Sequence, residues 1–308
     1  LGAGISGHTA AAHLRRKLPK EHEVLVISPN RNYQWVPSNI WVGIGRMKSK
    51  EIIFPLEPLY KRKGIGYKQS KAVSFHPEGD STETKPYILV EGVYGDTLGK
   101  QEKVTYDYLI NATGPKLAFD MTEGLVPGTN KAYSVCTYDH AEHASEALLK
   151  LIDELKTSDK KVKILIGTGH AKSTCQGAAF EYILNVEKEL VNHGVRDKAA
   201  ITWISNEYYL GDFGMDGMLM EYNGFNMKSK DMIEMIFEDR GINWILGAAV
   251  NKIEDGIAHY ENLEGEYKSE TYDFAMLIPA FSGHGFQGFD KEGNTITEKL
   301  FKGFMIVD

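Results

Sequence analysis

Cysteine is scarce: 308 residues contain two, Cys136 and Cys175. That is too few for a disulfide framework, and it points to a reducing compartment or to one specialised redox site. No run of about 18 apolar residues that could span a bilayer is present, and no signal-peptide pattern. Basic residues form no stripe with interleaved aromatics, and a net charge of −7 with a pI near 5.9 argues against nucleic acid as a partner. His140 and His143 share a helix face at i, i+3, but no cysteine or carboxylate set completes a metal site, so no metal is expected. What the chain does have is 42% hydrophobic residues, 25% charged residues and 31 glycines, in enough length for two α/β domains with their own cores.

The stretch from Ile164 to Glu181, ILIGTGHAKSTCQGAAFE, organises the reading. An apolar run, Val162 to Ile166, enters a turn with Gly167 and Gly169, and a helix pattern follows. This is the outline of a strand, glycine turn and helix that cradles a dinucleotide phosphate. Where that fingerprint needs its third glycine the chain has Lys172, and Cys175 follows three residues later. In the first turn of a helix, beside a lysine, the thiolate of Cys175 is favoured by the macrodipole and by the added positive charge.

A complete fingerprint opens the chain: LGAGISG sets Gly2, Gly4 and Gly7 in G-x-G-x-x-G spacing before a helix pattern, His8 to Leu18. The first glycine makes the tight turn, the second admits a pyrophosphate, and the third packs helix on strand. Only Leu1 of the strand before this turn is present, so the chain is expected to be a fragment. The next strand, Glu23 to Ile27, ends in Ser28-Pro29-Asn30 where an acid would hold a ribose in an NAD site; the departure disfavours NAD and leaves FAD open.

Further along, Tyr33 to Gly45 reads as an irregular loop, either over a flat aromatic group or packed on a core. A helix is expected over Pro58 to Lys63, a strand over Gly66 to Phe75, a hairpin strand over Tyr87 to Val93, and a strand from Lys103 to Ile110 into Asn111-Ala112-Thr113-Gly114. The domain boundary falls within Pro115 to Gly128. Asp139 and Glu142 predict a capped helix to about Lys156. Strands at Ala200 to Ser205, Asn243 to Ile253 and Tyr272 to Ala280, a helix at Lys228 to Arg240 and a hairpin across Gly265 complete a second unit. Met215, Met218 and Met220 are read as core filler, and Phe304 to Asp308 as the start of a strand.

Two successive dinucleotide folds resemble the two-dinucleotide-binding-domain flavoproteins. Within them, the loop VPSNIWVGIG (Val36 to Gly45), YDYLINATGPKLAF (Tyr106 to Phe119), Cys136 in SVCTYDHAE and Cys175 in STCQGAAFEY look like sulfide:quinone oxidoreductase. The resemblance implies two Rossmann-like domains of three-layer β-β-α type with the C-terminal part missing: residues 1–120 for FAD, 121–283 for the redox cysteine, and 284–308 returning to the first domain. It implies FAD along Gly2, Gly4, Ile5, Ser6 and Gly7, with Ser28, Pro29, Asn30, Pro37, Ser38, Lys71, Ala72, Ala112, Thr113 and Gly114 around it.

By the same resemblance, Cys175 is the cysteine beside the flavin and Cys136 the first family cysteine, while a third would lie beyond residue 308. His140 and Glu181 match polar residues near the sulfur site. Hydrogen sulfide and quinone are the implied partners. Attachment to the cytoplasmic membrane surface through the missing part and a possible homo-oligomer go with them. Competing readings are a type II NADH:quinone oxidoreductase, which should keep a whole second fingerprint, a cytochrome-linked sulfide dehydrogenase, and a non-catalytic FAD-binding subunit.

Overall fold

The computed structural model describes residues 1–296, 300, 301 and 303–305. Helices among them are α1 (Ile5–Lys17), α2 (Asn39–Gly43), α3 (Leu56–Lys63), α4 (Tyr138–Thr157), α5 (Gln176–Asn192) and α6 (Ser229–Asp239). The chain divides into two compact units: Leu1–Trp35, Ile53–Lys116 and Ser282–Asp308 form one, Val36–Ile52 and Leu117–Phe281 the other.

In the first unit, Leu25–Ser28 runs parallel to Gly66–His76, with Ser28 opposite Gln69. Tyr87–Gly92 and Gln101–Thr105 continue the sheet antiparallel. Alternation along the strand sorts its side chains to opposite faces. Val24 and Val26 join Ala11 of α1 and Leu56 and Tyr60 of α3, while Ile27 joins Ile88 and Val90. The strand expected over Lys103 to Ile110 stops at Thr105. Beyond it the backbone is bonded to the chain start instead: the Leu1 amine donates to the Ile110 carbonyl and the Ala112 N–H to the Leu1 carbonyl.

The second unit is built on a parallel sheet ordered Ile242–Ile245, Ala199–Ile204, Val162–Thr168, Phe274–Ile278, Ala132–Tyr133. The strand Phe274–Ile278 is an unbroken apolar run because both faces are covered. An antiparallel meander, Ala249–Glu254, Ile257–Glu261 and Tyr267–Thr271, covers one face, where Val250, Ile253 and Ala258 pack with Leu165, Ile204 and Leu277. The neighbouring position Trp203 points the other way and meets Phe237 of α6, ring centroids 6.1 Å apart. Meander, parallel sheet and helices make the β-β-α layering.

Several expectations need correction. The Tyr33 to Gly45 stretch is not one loop: Asn32–Gln34 is a strand, Val36–Ser38 a 3-10 turn, and α2 follows. Residues 36–52 belong to the second unit, not to a first domain spanning 1–120, because α2 is tied there. The Asn39 amide donates to the Val135 carbonyl at 2.9 Å, and the buried Tyr182 hydroxyl donates to the Gly43 carbonyl at 3.0 Å. Helix α4 is capped by Thr137, whose hydroxyl accepts the His140 N–H at 3.5 Å; Asp139 sits two positions after the cap, favoured by the dipole.

Asn243 to Ile253 is two strands broken at Gly247, a left-handed residue at φ +59. Met215 and Met218 are exposed, not core filler, because the sequence around them folds as an unforeseen surface hairpin, Leu219–Tyr222 with Phe225–Lys228. At the chain end Phe304–Met305 pairs with Leu300–Phe301; residues 306–308 of the expected strand lie outside the described residues.

Candidate functional site

The first unit closes its glycine turn tightly. Gly2 sits at φ +88, and a Cβ there would overlap the Ala112 carbonyl oxygen; one at Gly7 would overlap the Gly2 carbonyl oxygen. A Cβ at Gly4 would meet nothing within 4 Å, so that glycine alone faces open space. Gly4 is the N-cap of α1, with no side-chain cap and no acidic residue in the first turn. The leading N–H groups of the helix are left for an anion, beside exposed Ile5 and Ser6. The Gly2 N–H donates to the Ile27 carbonyl at 2.9 Å, which fixes the turn at the end of the Leu25–Ser28 strand, against Ala112 and Thr113.

Around this turn the expected residues differ in availability. Ser28 is buried and its hydroxyl accepts the Asn30 N–H at 3.3 Å, so it shapes the bend more than it faces outward. Asn30 is exposed, its carbonyl bonded by the Tyr67 hydroxyl. The Pro29 carbonyl accepts from Gln69 at 3.2 Å. Thr113 donates through N–H and hydroxyl to Asn111 Oδ1, and Gly114 follows at φ +71. Lys71 is exposed and Ala72 half-buried on Gly66–His76, past the residue paired with Ser28. Pro37 and Ser38 lie in the second unit.

The corresponding turn of the second unit is closed to a phosphate. A Cβ at Gly167 would overlap the Ile204 carbonyl oxygen, and one at Gly169 would crowd Leu125 at 2.8 Å and Leu277 at 3.1 Å. These glycines serve packing between strands. Both backbone groups of Gly169 are already committed: its N–H donates to the Ile278 carbonyl at 2.7 Å, and its carbonyl accepts from the Thr122 hydroxyl at 2.6 Å.

Helix α5 does not follow at once; residues 170–175 intervene as a loop. Asn206 clamps it, donating from Nδ2 to the Ala171 carbonyl at 2.8 Å and the Ser173 carbonyl at 3.2 Å while Oδ1 accepts from Gln176 at 3.2 Å. The Ser173 hydroxyl anchors the loop base on the Ile278 carbonyl at 2.8 Å.

At the end of this loop stands Cys175, exposed, at the N-cap of α5 and not inside its first turn. Cys136 is half-buried, three residues after the Ala132–Tyr133 strand, its N–H donating to Ser134 Oγ at 3.2 Å. Burial pushes its thiol up to about 11; the Ser134 hydrogen bond opposes the shift and the charge of Cys175 adds to it. Cys136 is thus held as the neutral thiol.

In the first turn of α4, burial lowers His140 below its ordinary pKa, Asp139 opposing and His143 assisting. Its buried Nδ1 has no partner among the described residues, and its ring lies edge-on to Phe119 at 5.4 Å. Glu181 is exposed on α5, and no hydrogen bond joins it to His140 among the described residues.

Asn206, Gln176 and Ser173 escaped the sequence reading as the residues that anchor loop 170–175. Glu207 stands where an acid would meet a nucleotide ribose, yet it is buried, accepting from the Ser205 hydroxyl at 2.7 Å and the Phe213 N–H at 2.8 Å. Burial raises its pKa, against those hydrogen bonds. The available signal was the SNE triplet after an apolar strand.

Two Rossmann-like units, one with a glycine turn at the start of α1 and the other with a thiol-bearing loop at the corresponding place, give the chain a fold like that of the two-dinucleotide-binding-domain flavoproteins. No family model matches the chain. It is related to the sulfide-quinone reductases: 33% identical over 92% of its length to that of Aquifex aeolicus, and 25% identical over 92% to the mitochondrial sulfide:quinone oxidoreductase of Dictyostelium discoideum.

The crystal structure of the Aquifex aeolicus sulfide:quinone oxidoreductase superposes on 92% of the chain with a TM-score of 0.74 and 30% identity. A Plasmodium falciparum NDH2 in complex with NADH shares the fold at 16% identity and a TM-score of 0.62. The chain spans 58% and 56% of the length of the two curated relatives.

Proposed function

We propose that this chain is the part of a sulfide:quinone oxidoreductase that holds the dinucleotide of FAD in its first unit and the substrate-accepting sulfur, Cys175, in its second. One observation carries the reading. A loop, 170–175, held by Asn206, stands between the second glycine turn and its helix, and its exposed end is a cysteine. Gly2, Gly4 and Gly7 fit a pyrophosphate: Gly2 and Gly7 pack the turn, and Gly4 leaves space in front of helix N–H groups that have no side-chain cap among the described residues. Ala112 and Thr113 line the same turn, and Pro29, Asn30, Lys71 and Ala72 would help to hold the nucleotide. When bound, FAD supplies a two-electron oxidant that quinone regenerates.

The remaining chemistry belongs to side chains. Hydrogen sulfide must lose a proton to become a nucleophile, and His140, whose pKa burial lowers and whose Nδ1 has no partner among the described residues, would take it. Hydrosulfide would attack a disulfide that joins Cys175 to the third cysteine implied by the resemblance, Cys136 and Cys175 both being free thiols in this structure. One S–S bond breaks, a new one forms to the incoming sulfur, and a persulfide and a thiolate remain, holding the electron pair to be removed. Exposure at a helix N-cap makes Cys175 the reachable sulfur, while Cys136 stays a protonated thiol beside it. Glu181, exposed near the start of α5, would pass protons to solvent. Quinone and attachment to a membrane surface follow from the relatives' names and the resemblance; no helix among the described residues is long and apolar enough to cross a membrane.

The buried, internally bonded Glu207 and the committed backbone of Gly169 count against NADH as electron donor. Anaerobic stopped-flow on the full-length flavoprotein tests the proposal. Sulfide bleaches the flavin band, NADH does not, and Cys175→Ser abolishes the response. Bleaching by NADH alone overturns it.

A further inference from the structure

A chain of net charge −7 concentrates cations at one place in the first unit. Arg15, Arg16 and Lys17 form the last turn of α1, and Lys61, Arg62 and Lys63 the last turn of α3. Basic residues at helix C-termini ordinarily balance the dipole. Two C-terminal partial charges of about −0.5 each offset only about one of these six cations. Among the described residues none of the six has a carboxylate within 4 Å.

Three of the six, Arg15, Arg16 and Lys63, line a cleft of about 330 Å³ together with Ala12, His13 and Ile65. Its cations are ordered without being neutralised. The Arg15 guanidinium donates to the carbonyls of His22 at 2.6 Å, Leu18 at 2.9 Å and Pro19 at 2.6 Å. The Arg16 guanidinium donates to His13 Nδ1 at 3.0 Å and has no other hydrogen-bond partner among the described residues, with Lys63 lining the same cleft. The charge of Lys63 is felt as far as His8, where it adds to the lowering of the pKa by burial.

We propose that this cleft binds a small phosphate ester. Arg16 and Lys63 would supply the direct contacts, the fixed Arg15 the charge behind them, and Ala12 and Ile65 an apolar wall for the organic part. The volume lies at the lower end of the ~300–1,000 Å³ range of small-molecule sites, which suits an ester better than a bare ion. The site is distinct from the glycine turn: Arg15 lies about 16 Å along α1 from Gly4, at the helical rise of about 1.5 Å per residue. The ester can be a free metabolite or a lipid headgroup, and the chemistry of recognition is the same.

Two arms of one experiment separate these sources. Glycerol 3-phosphate is titrated into the protein by calorimetry at low and at physiological ionic strength. Flotation is measured with phosphatidylcholine vesicles, with and without phosphatidylglycerol. Arg16→Gln and Lys63→Gln are compared singly and together, with exposed Lys85→Gln as control and circular dichroism to confirm folding. Saturable binding in either arm, weakened roughly tenfold by each single substitution and unchanged in the control, supports the site; the arm that responds names the source. Absence of binding in both arms, or binding that survives the double substitution, overturns it.

Discussion

Asn206→Ala tests whether the loop carrying Cys175 is held by one side chain. Asn206 makes three side-chain hydrogen bonds: two donated to the Ala171 and Ser173 carbonyls and one accepted from Gln176. At about 1 kcal/mol each, with the exposed Ala171 bond discounted, their loss removes about 2 kcal/mol of local stability. That corresponds to roughly a thirtyfold rise in the open population of the loop. The strands beneath are apolar and buried, so the global unfolding midpoint should move by only a few degrees. Hydrogen exchange read by mass spectrometry should accelerate over residues 170–175, with the strand Val162–Thr168 unchanged. Unaltered exchange in the loop, or an equal acceleration of the strand, would refute the clamp.

Gly4→Val, with nothing within 4 Å of the added carbon, should leave the thermal midpoint within a degree or two while cutting flavin content. Gly2→Ala should lower both, because its Cβ overlaps the Ala112 carbonyl; flavin absorbance per protein, beside a melt, distinguishes them. Arg46→Ala breaks the bidentate pair to the buried Glu189, both bonds 2.9 Å. With Arg46 about half exposed, the expected cost is about 1–3 kcal/mol by urea denaturation, and a loss below about 0.5 kcal/mol would mean that water replaces the arginine. His140 has its folded pKa below the ordinary 6.5, so the unfolded state binds more protons between those two values. Its contribution is complete above pH 6.5 and declines as pH falls toward the lowered value. His140→Gln should flatten that acid-side slope of stability, and an unchanged slope would show that other histidines set it.

Legibility differed by element. Parallel strands such as ILIG and FAMLI announced themselves because burial on both faces demands unbroken apolar runs. Glycines at Gly2, Gly4 and Gly7 were readable because their spacing answers a backbone requirement. The Val36–Ser38 turn with α2 was not: its partners, Val135 and Tyr182, are 96 and 139 residues distant, and no local pattern encodes such contacts. The surface hairpin with Met215 and Met218 nearby failed for the opposite reason, since apolar residues outside were taken for core.

The amino-acid sequence by itself determined that two α/β units are present, that the first glycine turn is whole and the second altered, and that Cys175 follows the alteration. These are properties of spacing and periodicity, which neighbours along the chain control. Tertiary structure alone decided that the second turn is closed by Asn206 and the strand carbonyls, that Glu207 is turned inward, that Cys136 is kept protonated beside Cys175, and that residues 36–52 join the second unit. Each depends on which distant groups are brought within hydrogen-bonding range and screened from water, and that is set only when the core closes.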